Sequence, residues 1–248
     1  VTPESLFAAL FESAPSKPFV TFYDEASGER AELSAKSLAN WVAKTHHLLT
    51  DELGLGVGDA ALVALPAHWI SVPVLLGCLS AGLSLSDTAG TVSTVAFVTD
   101  QTRPRAAGIP DVYAISTESA AVGFRGGDPD GTTDYVLAVR PHDDVWAGVH
   151  SPAAPGDDCL PGATRAEVVR AAAQRAKELG LAAGGRLLST RDWAGPQDWV
   201  DAVLAPLAVG GSLVLVRNCP SAELLARRVE QERATAVLTE PGQPDPQG

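Results

Sequence analysis

Short apolar runs, almost unbroken by polar residues and separated by helix-like segments, constrain this chain more than any single motif. Leu62–Leu65, Val95–Thr99, Tyr135–Val139, Leu187–Thr190, Leu213–Val216 and Ala236–Thr239 read as strands. Their apolar residues are contiguous rather than alternating, the pattern of strands covered on both faces of a parallel sheet. Helical segments lie between most of them. Ser34 to Leu49 carries Leu38, Val42, Thr45 and Leu49 on one stripe. Thr164 to Leu179 opens with a Thr-x-x-Glu capping box, Thr164 and Glu167, and repeats Val168, Ala172, Ala176 and Leu179 at helical spacing before Gly180. Ser221 is placed to cap Ala222 to Gln231, and Pro206 predicts a late kink or break in Gln197 to Val209 before Gly210-Gly211. Strand-helix alternation of this kind predicts an α/β fold with mostly parallel sheets and right-handed crossovers.

Composition narrows the function classes. Of 248 residues, 46% are hydrophobic and 19% charged, enough apolar content for a folded core and too much for a disordered chain. A net charge of −12 repels nucleic acid and anionic lipid at long range, so neither is an expected partner. Cys78, Cys159 and Cys219 are odd in number, far apart and form no CxxC, which predicts neither a disulfide framework nor a zinc site and fits a reducing cytoplasm. The N-terminus shows no basic segment followed by an apolar run, so no signal peptide is predicted. Ala60 to Ser86 lacks Asp, Glu, Lys and Arg, but Pro66, His68, Pro73 and four serines interrupt it; strand, turn and helix describe it better than a membrane span.

Individual motifs exclude more than they assign. The glycines of "GLGVGD", Gly54 to Asp59, follow a helix and precede a strand, the reverse of a dinucleotide fingerprint, so they read as a helix stop and a turn. "GFRGGDPDG", Gly123 to Gly131, is a loop with no helix after it to donate amides to phosphate. No Gly-x-Ser-x-Gly elbow and no Walker motif occur. His46 and His47 sit on an amphipathic helix as surface or boundary residues. His142, Asp143, Asp144, His150, Asp157, Asp158 and Cys159 are metal-ligand types in no compact ligand spacing, and read as solvated loop charges; no metal site is predicted.

The order of segments carries a resemblance. From Gly28 to Gly82 the chain has a strand, a capped helix, Gly58-Asp59, an apolar strand ending at Pro66, and a helix ending at Ala81-Gly82. This resembles the opening of the adenylate-forming enzymes: acyl-CoA synthetases, luciferases and adenylation domains. The stretches from Ala163 to Val216, with "LAPLAVGG", and from Ser221 to Pro241 resemble later parts of the same group in the same order. More narrowly, the chain is similar to a small actinobacterial family distantly related to AMP-binding enzymes. The resemblance implies two packed α/β lobes, the first about residues 1–57 plus 184–248 and the second about 58–183, within a single AMP-binding-like domain of residues 1–248. It also implies a truncated relative, with the C-terminal domain that normally carries the catalytic lysine absent.

Where that group has a Ser/Thr/Gly-rich phosphate loop ending in Pro-Lys-Gly, this chain reads "HSPAAPGDDCLPGATRAE", His150 to Glu167. The segment has Pro-Gly at Pro155-Gly156 and Pro161-Gly162, no lysine, and Arg165 as its nearest cation. Asp157 and Asp158 oppose a polyphosphate, since like charges at contact repel by about 1 kcal/mol in water and more when desolvated. Asp157, Asp158, Cys159, Gly162, Thr164 and Arg165 therefore mark an altered phosphate-loop region. ATP or AMP with Mg²⁺ is expected only if that region still holds phosphate. Trp193 matches the position of an aromatic beside the family's acyl pocket and reads equally as a core or lid residue; with His150 it is a candidate cleft residue. Three functions follow: a non-catalytic binding or interaction module taking a protein partner or a small acyl or nucleotide ligand; a ligase completed by a partner chain or using an altered loop; and an enzyme of another class using His150, Cys159 and Trp193. Fold resemblance alone does not choose among them.

Overall fold

The contiguous apolar runs assemble into two five-stranded sheets in a computed structural model that describes residues 1–88, 93–118, 120–145 and 151–240. The chain opens with α1 (Pro3–Ser13), the hairpin β1 (Pro18–Asp24) and β2 (Glu29–Ser34), and α2 (Ala35–His47), which runs on through a π turn at Leu48–Glu52. Then come β3 (Ala60–Ala64), α3 (Ser71–Ser80), β4 (Ser84–Ser86), β5 (Ser93–Val98), β6 (Asp111–Ala114), β7 (Thr133–Asp134) and the short α4 (Tyr135–Val139). A small hairpin, β8 (Asp158–Leu160) and β9 (Ala163–Thr164), leads into α5 (Arg165–Glu178) and β10 (Arg186–Ser189). The remainder is α6 (Pro196–Trp199), a π segment at Val200–Leu204, α7 (Ala205–Ala208), β11 (Ser212–Arg217), α8 (Ala222–Glu232) and β12 (Ala236–Leu238).

One sheet has the order β12-β10-β11-β1-β2 and is parallel except for the β1–β2 hairpin. The other has the order β4-β3-β5-β6-β7 and is parallel throughout. Register places Val20 beside Leu213 and Leu213 beside Leu187, all fully buried. One core spans both sheets and takes in Phe7, Leu38, Ile70, Phe97, Tyr135 and Val203. A second cluster, Leu188, Val214, Val216 and Leu225, seats α8 on the far face of the first sheet. A third, Leu62, Ala96, Val98 and Ala106, covers the far face of the second. Burial on both faces explains why these strands read as unbroken apolar runs. Among the described residues no helix is long and apolar enough to cross a membrane.

Two local expectations are corrected. Tyr135–Val139 is a helix rather than a strand. Strand pairing ends at Asp134, whose Oδ1 accepts from the amides of Val136 at 2.8 Å and Leu137 at 3.1 Å and so caps a helical turn. The interruption expected at Pro206 falls earlier: regular α-helix gives way to a π segment at Val200–Leu204, and Pro206 sits in the first turn of α7, where its missing N–H is tolerated, before the helix ends at Ala208.

Two contacts lock the helices. Thr45 on α2 donates to Trp41 O at 2.9 Å and shares a 2.7 Å hydrogen bond with Tyr135 Oη, and Gly77 of α3 lies against it. At the start of α5, Arg165 is fully buried. Its Nη1 donates to Glu4 Oε2 at 2.8 Å and to Leu79 O at 3.0 Å, and its Nη2 donates to Leu83 O at 2.9 Å. Removing one partner of a buried charge pair strands the other. Arg165→Met and Glu4→Leu should each cost about 3–5 kcal/mol, with the double variant recovering much of it, as read by urea unfolding. Gly77→Ala would place a Cβ 2.5 Å from Thr45 Cβ, so a loss of about 1–3 kcal/mol is expected in the same assay.

Candidate functional site

Parallel strands direct their following loops to one edge, and here those loops enclose a cleft of about 810 Å³. Its walls come from residues 63–66 at the end of β3 and just after it, 99–102 after β5, 115–118 after β6, 192–195 after β10, and Arg217 at the end of β11. In the second sheet β4 lies on one side of β3 and β5 on the other, so the crossovers diverge between β3 and β5. Crevices outside the carboxyl ends of strands at such a switch point are where open α/β sheets bind ligands.

Short polar ties hold the walls together. Asp192 Oδ1 accepts from the amides of Ala67 at 2.6 Å and Trp193 at 2.9 Å, joining the loop after β10 to the loop after β3. Thr102 Oγ1 donates to Ala64 O at 2.6 Å. Phe124 N donates to Asp134 Oδ2 at 2.6 Å, and Arg103 Nη1 donates to Asp130 O at 2.7 Å, which pin the loop carrying Arg125. Trp193 lines the cleft and packs on the core, while its indole Nε1 is buried without a hydrogen-bond partner.

The residues of the altered phosphate-loop region sit elsewhere: none of residues 151–165 lines the cleft. Gly162, with φ of +73°, completes the two-residue turn between Leu160 and Ala163. The amides at the start of α5 are already used. Thr164 N donates to Glu167 Oε2 at 2.9 Å, Arg165 N to Asp157 O at 2.9 Å, Ala166 N to Pro155 O at 2.9 Å, and Glu167 N to Thr164 Oγ1 at 3.4 Å. Asp157 Oδ2 accepts from Ala154 N at 2.7 Å, and Asp158 is exposed on β8. Cys159 is buried, which pushes its thiol up to about 12. Arg165 faces Glu4 and the carbonyls at the end of α3. His150 lies outside the described residues. The four amides of this helix start and both Nη atoms of its nearest cation already have partners within the chain, and only the buried Arg165 Nε lacks one, so a phosphate here would have to displace those contacts. No group of His, Cys, Asp and Glu among the described residues could hold a metal ion.

Sequence reading passed over Arg105, Arg217, Asp192 and His68. For three of them the signal is position: Asp192, Arg217 and His68 fall within about four residues of the carboxyl end of a parallel strand, whereas Arg105 lies in a turn further along the loop after β5.

No family model matches the chain. A TIGR03089 family protein of Mycobacterium tuberculosis (strain ATCC 25618 / H37Rv) is 39% identical over 249 residues, covering 96% of this chain and 99% of the relative. The chain belongs to the TIGR03089 family. Among solved structures, an acyl-CoA synthetase of Brucella canis superposes with a TM-score of 0.76 at 18% identity, over 97% of this chain and 47% of its own. The anthranilate CoA ligase AuaEII, solved with anthranoyl-AMP, gives 0.71 at 12% identity, over 96% of this chain and 49% of its own. The fold of this TIGR03089 family member is thus adenylate-forming-ligase-like, and the chain spans about half the length of those solved structures.

Behind the cleft, His68 is 1% exposed and lies against Phe22, ring centroids 4.2 Å apart. Its Nδ1 accepts from Ile70 N at 3.3 Å, and its Nε2 is 3.8 Å from Glu29 Oε2, too far for a hydrogen bond. Burial, and then the positive Arg217, pull its pKa down to about 3, with Asp24 opposing. The unfolded chain, with an ordinary histidine pKa near ~6.5, binds this proton first. The stability that a neutral His68 permits is therefore complete above about pH 6.5 and is lost as pH falls toward about 3, at about 1.4 kcal/mol per pH unit. His68→Asn, which keeps an acceptor near Ile70 N, should lose about 2 kcal/mol less than wild type between pH 7 and pH 5 in urea unfolding.

Proposed function

We propose that this chain is a non-catalytic relative of the adenylate-forming enzymes that binds a small ligand in the cleft between the two sheets. The observation that carries this is the donor accounting at α5: every amide from Thr164 to Glu167 has a partner within the chain, and Arg165 is held by Glu4. On this reading the short hairpin and its Pro161-Gly162 turn stand in place of a phosphate loop, and Asp157 and Asp158 serve the turn and the solvent rather than a magnesium ion. The cleft, in contrast, keeps uncommitted polar groups and a volume suited to a small molecule.

A second reading is an acyl or aryl ligase that needs a partner chain for its remaining parts, using ATP and Mg²⁺. It is favoured by one fact: the chain spans only 47% of the acyl-CoA synthetase it superposes on. The two differ in outcome. For a non-catalytic module, titration calorimetry with ATP and Mg²⁺ should give a Kd weaker than about 1 mM. Pyrophosphate exchange over a broad panel of carboxylic acids should stay at background with and without cell extract, while a small-molecule screen should still raise the melting temperature. Adenylate formation by the chain alone would overturn the module reading, and exchange that appears only with extract would establish the second.

A further inference from the structure

The polar groups around the cleft divide into those already satisfied and those left over. Among the acids, Asp87 lies 3.5 Å from Arg105 and Asp100 lies 3.7 Å from Arg103. Asp192 accepts from two amides, which leaves Glu118 as the one cleft carboxylate, among the described residues, without such a contact. Among the donors the balance is reversed. The guanidiniums of Arg125 and Arg217 line the cleft and make no hydrogen bond or ion pair among the described residues. The buried indole Nε1 of Trp193 has no acceptor either. Arg217 is half-buried at the end of β11, where its charge helps to keep His68 neutral. Arg125 is exposed, on a loop pinned at Phe124 and Asp130.

Two guanidiniums without acceptors, on separate walls of one crevice, match a ligand bearing two acidic groups. We infer that the cleft takes a small organic dianion, one acidic group on Arg217 and the other on Arg125. This rests on the reading of the chain as a ligand-binding module and adds the chemistry of the ligand. A carboxylate pair and a phosphoryl group present the same charge and acceptors, so matched probes separate them.

Titration calorimetry on the full chain with succinate against butyrate, and with phenyl phosphate against benzoate, tests the assignment. The dianion of at least one pair should bind about tenfold or more tightly than its monoanion, and which pair responds distinguishes carboxylate from phosphoryl. Arg125→Ala and Arg217→Ala should each weaken that dianion by about tenfold, with Arg217→Gln as a milder variant if the alanine fails to fold. Equal affinity within both pairs, or unchanged dianion binding in both arginine variants, overturns the inference while leaving a ligand-binding module. Silence from all four probes also overturns it, and the module reading then stands or falls separately on the melting screen.

Discussion

The buried contact of Arg165 with Glu4 ties together parts of the chain that are otherwise remote. It joins α1 near the N-terminus, the end of α3 and the start of α5 at one buried point. Taking two charges out of water costs several kcal/mol each, so the arrangement holds only because other polar groups share the load. The carbonyls of Leu79 and Leu83, at the negative end of the α3 dipole, supply acceptors for the guanidinium. Ser151 Oγ donates to the second oxygen of Glu4 at 3.0 Å. Rotating Arg165 outward to meet an anion would leave Glu4 charged and alone in the core. That penalty makes the residue part of the scaffold, although it stands beside a helix start of the kind that binds phosphate in other proteins.

The net charge of −12 describes the whole surface and not the cleft. Most cleft acids face a guanidinium or an amide at short range, which outweighs the diffuse field of distant carboxylates screened over about 8–10 Å. A local donor surplus is therefore compatible with an acidic protein. The same locality explains His68: burial comes first and the nearby Arg217 second, and the acidic total does not rescue its charged form.

β3, β5, β10, β11 and β12 were legible because burial leaves a contiguous apolar run, whereas β4, β6 and β7 are too short or too polar to stand out; Thr164, Glu167 and Ser221 announced their helices through cap chemistry that acts over about three residues. Tyr135–Val139 was misread because its composition suits a strand, whereas the deciding group is the preceding Asp134, whose carboxylate ends the pairing and starts a turn. β1 escaped notice since Thr21 and the flanking Pro18 and Asp24 dilute its apolar run. Arg165 is the most instructive residue. Sequence distance made it the nearest cation to a candidate phosphate loop, and nothing local reveals that its partner is Glu4, 161 positions away. The cleft arginines were equally hidden, because one loop position among many becomes a site only when topology brings strand ends together.

Scaffold and chemistry are separable in a fold of this kind. Open α/β proteins place stability in the sheets and helices and place ligand chemistry in loops at the strand ends. A helix beginning still imposes a strict demand, since its first amides have no intrahelical acceptor and are costly to bury unpaired. Here the chain supplies its own acceptors: Pro155 O, Asp157 O, Thr164 Oγ1 and the Glu167 carboxylate. Each of those contacts also excludes an anion from the same donors. Self-capping and anion binding are thus competing uses of the same donors at a helix start.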